Sequence, residues 1–223
     1  MEHTVKAFDD DLAALSGLIA RLGALAASET ADAVQALITR DADLAQAVVE
    51  RDRTLDELEI QIEEAAVSMM ARRQPVAIDL RRSVAAMKMA GNLERCGDLA
   101  KNIAKRAIVL ADMELPGPML RPIERMGLLV SQRLRLALTA YAEDDLVRAT
   151  EVWTRDREVD EDYESVFREL LTYMMGDARL IASSTHLLFV AKNLERIGDH
   201  ATNIAELVHY AMTGEQLVAR PKI

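Results

Sequence analysis

A fifteen-residue stretch occurs twice, and this repeat limits the possible folds more than any other feature. Ala90–Ala104 reads AGNLERCGDLAKNIA and Ala191–Ala205 reads AKNLERIGDHATNIA, with eleven of fifteen positions identical at an offset of 101 residues. The chain is therefore read as two copies of one unit. Each copy keeps two acids four residues apart, Glu94 and Asp98 or Glu195 and Asp199. On a helix such pairs are neighbours and repel. Each copy also keeps a glycine, Gly97 or Gly198, inside a helical pattern, where glycine costs about 1 kcal/mol relative to alanine. Two locally unfavourable choices in matching places point to a compensating gain, from metal coordination or from close helix packing.

Apolar residues recur at three- and four-residue steps almost throughout, and strand alternation is absent. With only five prolines and nine glycines in 223 residues, long elements are free to form. The pattern predicts an all-α fold of six helices. The first runs from about Thr4 to Thr39, with a possible bend at Ser28-Glu29-Thr30. The second covers about Ala42 to Arg73, with Asp41 as its N-cap, and Gln74-Pro75 breaks it because proline loses a hydrogen bond and clashes. The third covers about Val76 to Asp112. Leu115-Pro116-Gly117-Pro118 reads as the linker between the copies. The fourth helix covers about Met119 to Ala142. The fifth, capped by Asp144 or Asp145, runs unbroken to about Met175. After a turn at Gly176-Asp177-Ala178 the sixth ends near Met212. Short turns make consecutive helices antiparallel neighbours, so each half becomes a three-helix bundle. The expected units are residues 1–114, a linker at 115–118, residues 119–215 and a frayed tail, Gln216–Ile223. Helices of this length span roughly 50 Å.

The antiparallel turns also align further acids. Asp52 and Asp56 lie on the second helix, Asp156 and Asp160 on the fifth. Residues whose numbers share a midpoint lie at one height on two helices that fold back on each other. Asp52 with Asp98 and Asp56 with Glu94 share a midpoint at Pro75. Asp156 with Asp199 and Asp160 with Glu195 share one in the Gly176–Ala178 turn. Both copies thus bring four carboxylates to one level, on helix flanks and accessible from solvent. Four clustered carboxylates repel unless protonated or neutralised by a cation. Hard oxygen donors suit magnesium, calcium, manganese or iron, and zinc is also among the ions considered. Asn102 and Asn203, one turn further along, are weaker candidate ligands. The competing reading is of solvated faces paired with Arg51, Arg53 and Arg95 or with Arg155, Arg157 and Arg196. His200 follows Asp199 but has Leu99 as its counterpart, and is read as incidental.

A net charge of −10, from 27 basic and 37 acidic residues, argues against sequence-independent nucleic-acid binding, which needs a basic surface to displace counterions. One cysteine, Cys96, excludes an internal disulfide and suits a reducing compartment. The N-terminus, with Glu2 and Asp9-Asp10-Asp11, does not read as a signal peptide. No run is read as approaching the roughly 20 apolar residues of a membrane span. No phosphate-binding glycine loop and no nucleophile–histidine arrangement stands out.

Two copies of NLER-x-GD, each preceded by a helix carrying Asp-x-x-x-Asp, resemble the PhoU family of phosphate-signalling regulators over nearly the whole chain. Ala71-Arg-Arg-Gln-Pro75 and Leu171-Thr-Tyr-Met-Met175 are also similar to that family's helix ends. The resemblance implies paired three-helix bundles with surface carboxylate motifs that hold metal ions or clusters. One site would be Asp52, Asp56, Glu94 and Asp98, the other Asp156, Asp160, Glu195 and Asp199. It further implies a cytoplasmic, non-enzymatic homodimer that meets the inner membrane only through its partners. Those partners are the phosphate ABC transporter and the membrane sensor histidine kinase, whose output such proteins keep low when phosphate is plentiful. Two other classes compete. A carboxylate-bridged di-metal oxidase would want Glu-x-x-His pairs in a bundle core, whereas no such pair is read in this chain and the acids lie on a flank. A purely structural helical module with no metal is the other.

Overall fold

Seven helices and no strand make up the described part of the chain. The computed structural model describes residues 2–217. The helices are α1 (Glu2–Thr39), α2 (Ala42–Arg73), α3 (Ala77–Leu110), α4 (Leu120–Ala142), α5 (Leu146–Thr154), α6 (Arg157–Gly176) and α7 (Ile181–Thr213). Short 3₁₀ turns at Gly117–Met119 and Ala178–Leu180 lead into α4 and α7. The expected frayed tail lies outside the described residues from 218 on.

The helix ends follow from local chemistry. Asp41 and Asp145 each accept a backbone N–H from three residues ahead, Leu44 at 2.9 Å and Arg148 at 3.0 Å. These bonds satisfy amides that the first turn of a helix leaves orphaned. The preceding residues, Arg40 and Asp144, take left-handed backbone angles (φ 57° and 52°) without being glycine. Their conformation lets the Asp41 and Asp145 amides reach back to Ala36 O and Ala140 O, both at 2.9 Å. Replacing Asp41 by alanine should therefore lower stability by about 1 kcal/mol, visible as a lower urea midpoint at unchanged slope.

Within each half, α1, α2 and α3 pack together, as do α4, α6 and α7, with α5 bound to α4 and α7. The halves join along α3 against α7 and α1 against α4. An almost wholly aliphatic core runs through both, including Leu22, Leu55, Ile62, Leu93, Ile103, Val130, Leu134, Leu187 and Leu194. Polar bonds cross the seam, among them Ser16 with Tyr141 (3.2 Å), Arg82 with Asp144 (2.7 Å) and His200 with Asn92 (2.9 Å). The two small residues of the repeat serve close packing. A methyl added at Gly97 would run into the Leu55 side chain, and one at Gly198 would stand 3.2 Å from Val159 Cγ1.

Two expectations are corrected. The fifth predicted helix is two, α5 and α6, interrupted at Arg155-Asp156. There the amides of Asp156, Glu158 and Val159 bond three residues back instead of four, which tightens the turn. Bonds to α7 hold both sides of the break: the Trp153 indole donates to Glu206 (3.0 Å), and Asp156 accepts from Thr202 Oγ1 (2.8 Å). Second, Asp10–Thr39 of α1 is long and apolar enough to cross a membrane by length and composition, which the sequence reading overlooked. The same helix is continuous through Ser28-Glu29-Thr30, where the Thr30 hydroxyl donates back to Ala26 O at 2.8 Å, a bond that often accompanies a bend. In this fold α2, α3 and α4 pack against that helix.

Candidate metal centre

Both acidic clusters form where consecutive helices face each other, α2 against α3 and α6 against α7, but they are neutralised differently. In the first half Asp52 on α2 and Asp98 on α3 meet through a lysine. Lys101 Nζ donates to Asp52 Oδ2 at 2.5 Å and to Asp98 Oδ1 at 2.7 Å. This cation sits one turn beyond Asp98 on the same helix and was not singled out by the sequence reading. Arg95 adds a second positive charge, 3.5 Å from Glu94 Oε2 and 3.4 Å from Asp98 Oδ2. Burial, followed by the charge of Asp98, pushes the Glu94 carboxyl up to about 7. Burial works against the charge on Asp98, but Lys101 outweighs it and holds that carboxyl below its usual range. Asp52 is buried, not solvent-accessible as the flank argument expected, because Lys101 lies over it. Asp56 is exposed. Asn102 is also exposed.

The second cluster lacks that lysine, because Thr202 stands at the repeat position of Lys101. Asp160 on α6 and Glu195 and Asp199 on α7 each offer an oxygen within 4.8 Å of the other two. Asp156 stands beside them, turned toward Thr202. Loss of solvent around the carboxyl, followed by the charges of Glu195, Asp156 and Asp160, pushes Asp199 up to about 6. Glu195 accepts Lys192 Nζ on Oε1 at 2.6 Å, while its Oε2 is buried without a hydrogen-bond partner. Three carboxylates, with an orphaned buried oxygen on Glu195, fit a small cation such as Mg²⁺ or Mn²⁺. A bound ion would relieve the repulsion and hold α6 against α7. Asn203 points elsewhere. It donates to Asn92 Oδ1 at 3.2 Å, in the groove between α3 and α7 that Lys88, Arg95 and Tyr210 also line.

The sequence reading also passed over one Glu-x-x-His pair, Glu206 and His209. Glu206 accepts the Trp153 indole and His209 bonds Glu215 O at 3.1 Å. Neither belongs to the acidic group of Asp160, Glu195 and Asp199.

A further charged group had no sequence signal. Glu29 on α1 has no solvent exposure, and neither of its carboxylate oxygens has a hydrogen-bond partner. Burial first, and then the neighbouring Asp52 and Asp32, push its carboxyl up to about 7, against the opposing pull of Arg51 and Lys101.

Comparison with known proteins finds one domain model twice in the chain. The PhoU domain model matches residues 19–107 and again 123–208. A phosphate-specific transport system accessory protein PhoU homolog of Caulobacter vibrioides is 56% identical over all of this chain and 97% of its own length. The homolog of the same name from Rhizobium meliloti is 47% identical, over 96% of this chain and 90% of its own. Among solved structures, PhoU from Pseudomonas aeruginosa superimposes with a TM-score of 0.90 at 39% identity, covering 93% of this chain and 100% of that one. The phosphate transport system regulatory protein PhoU from Streptococcus pneumoniae gives 0.87 at 26% identity, covering 95% and 100%.

Proposed function

This chain belongs to the PhoU family, and we propose that it acts as a metal-bearing helical adaptor that restrains phosphate uptake and the phosphate-starvation response. Its relatives carry names of accessory and regulatory proteins of phosphate transport, not of enzymes. Its partners in this reading are the phosphate ABC transporter and the sensor histidine kinase at the cytoplasmic face of the inner membrane. It works there as a homodimer, and touches the membrane only through those partners. It binds no nucleic acid, in keeping with its net charge of −10.

The observation that carries the metal part is the Asp160–Glu195–Asp199 convergence with its orphaned Glu195 oxygen. A cation there is a structural fastener. It supplies charge neutralisation and fixes α6 against α7, and so shapes the face offered to a partner.

The test is a phosphate-starvation reporter in phosphate-rich medium. Cells lacking this protein should show high output that falls when the gene is restored. Cells carrying Asp199→Asn should show intermediate or high output at normal protein level. Low output in the deletion strain would refute the regulatory role, and wild-type behaviour of Asp199→Asn would remove the metal from it.

A further inference from the structure

The two clusters match in their four carboxylates and differ in the side chain one turn beyond the last of them. Lys101 in the first half becomes Thr202 in the second. Both side chains face the carboxylate of the preceding helix, Lys101 toward Asp52 and Thr202 toward Asp156. The exchange replaces a cation by a neutral hydroxyl at the same place. An ammonium bonded to carboxylates of two different helices, at 2.5 and 2.7 Å, is where a bridging metal ion would otherwise sit.

The second cluster has its own lysine, but a different one. Lys192 donates to Glu195, on its own helix, and its side chain is 46% exposed against 21% for Lys101. It rests over the Tyr163 ring, 5.1 Å from the centroid, on the more exposed side of the cluster. Lys101 is the more enclosed of the two and joins carboxylates on two helices, Asp52 and Asp98. Among the described residues, only the second cluster brings three carboxylates into mutual reach.

We propose that Lys101 is a tethered counter-ion filling the cation position of the first cluster, so that the protein takes an external metal ion at Asp160, Glu195 and Asp199 alone. This rests on the metal reading above and deepens it: of two sites that look alike in sequence, one is closed by the chain itself. The family motif then specifies a cation position in each half, and the residue at 101 or 202 decides whether the cation is built in or recruited.

The experiment is Mn²⁺ binding to the full-length chain, measured as free Mn²⁺ by electron paramagnetic resonance after removal of bound metal. Wild type should bind one equivalent. Asp199→Asn should lose it and Asp98→Asn should keep it. Lys101→Thr should gain a second equivalent, and Thr202→Lys should lose the first. Circular dichroism checks that each variant is folded, and the Asp98→Asn and Thr202→Lys arms decide the matter even if Lys101→Thr does not fold. Two equivalents in wild type, with one lost on Asp98→Asn, would overturn the proposal and leave the metal reading standing. No binding by wild type or by any variant would overturn both.

Discussion

Glu29→Gln should make the protein more stable above neutral pH by about 3 kcal/mol relative to wild type, and the advantage should vanish in acid. Glu29 has no solvent exposure and its two oxygens have no partners. Its carboxyl rises from 4.5 to about 7 on folding. Below 4.5 it is protonated in both folded and unfolded chains and contributes nothing to the pH dependence. Between 4.5 and 7 the unfolded chain releases the proton while the folded chain keeps it, so stability falls as pH rises. Above 7 both forms are ionised and the whole penalty is present. At about 1.4 kcal/mol per pH unit, that window corresponds to about 3 kcal/mol. Other groups titrate in the same range: Glu94 and Asp199 are raised, whereas His186 and His200 are lowered chiefly by burial. The readout is therefore the difference between variant and wild type in urea unfolding at a series of pH values. A difference that stays flat from pH 4.5 to 8 would show that Glu29 is ionised in the fold, with Arg51 or Lys101 as its effective counter-ion.

How much of this was legible in the sequence depends on whether the cause is local. The turns at Arg40-Asp41, Gln74-Pro75 and Gly176-Asp177 were readable because capping acids and helix breakers act within a few residues of themselves. Antiparallel pairing then follows from short connections, and with it the shared height of Asp52 and Asp98, which Lys101 joins. The close approach at Gly97 was readable because glycine in a helix interior has a cost that packing must offset. The break at Asp156 was not readable, since α7 bonds through Trp153 and Asp156 hold it and the local pattern stays helical. Glu29 was not readable either. Two neighbouring acids on α1 have different fates, Asp32 pairing with Arg51 while Glu29 is sealed off, and only the packing of neighbouring helices separates them. At the repeat position of Glu29, set by the same offset that relates Asp52 to Asp156, stands Arg133. Arg133 is buried and pairs with Glu158 at 3.1 Å. The copies thus keep their carboxylates and redistribute the charges around them. Lys101 and Thr202 stood in plain view within the repeated stretch, but attention to what the copies share hid what they do not.

The second large effect expected is the loss of about 3 kcal/mol in Lys101→Met, which keeps an apolar stem and removes the ammonium. Breaking a buried ion pair from one side is expensive because the partner charge stays behind without compensation. Here two partners stay behind, Asp52 with a side chain 10% exposed and Asp98 with one 31% exposed. Water reaches Asp98 and limits its share, so most of the loss comes from Asp52. Combining Lys101→Met with Asp52→Asn should therefore recover most of the stability, whereas combining it with Asp98→Asn should recover little. Urea unfolding in chelator, so that added metal does not stabilise the folded state by mass action, gives all four free energies needed for each cycle. The bridge also ties α2 to α3, so its loss should chiefly raise the unfolding rate if it forms after the folding transition state. A loss below about 1 kcal/mol would place the Lys101 contacts among ordinary surface pairs. A lysine held so weakly would give way to a metal ion, and the two clusters would then be equivalent despite the difference at 101 and 202.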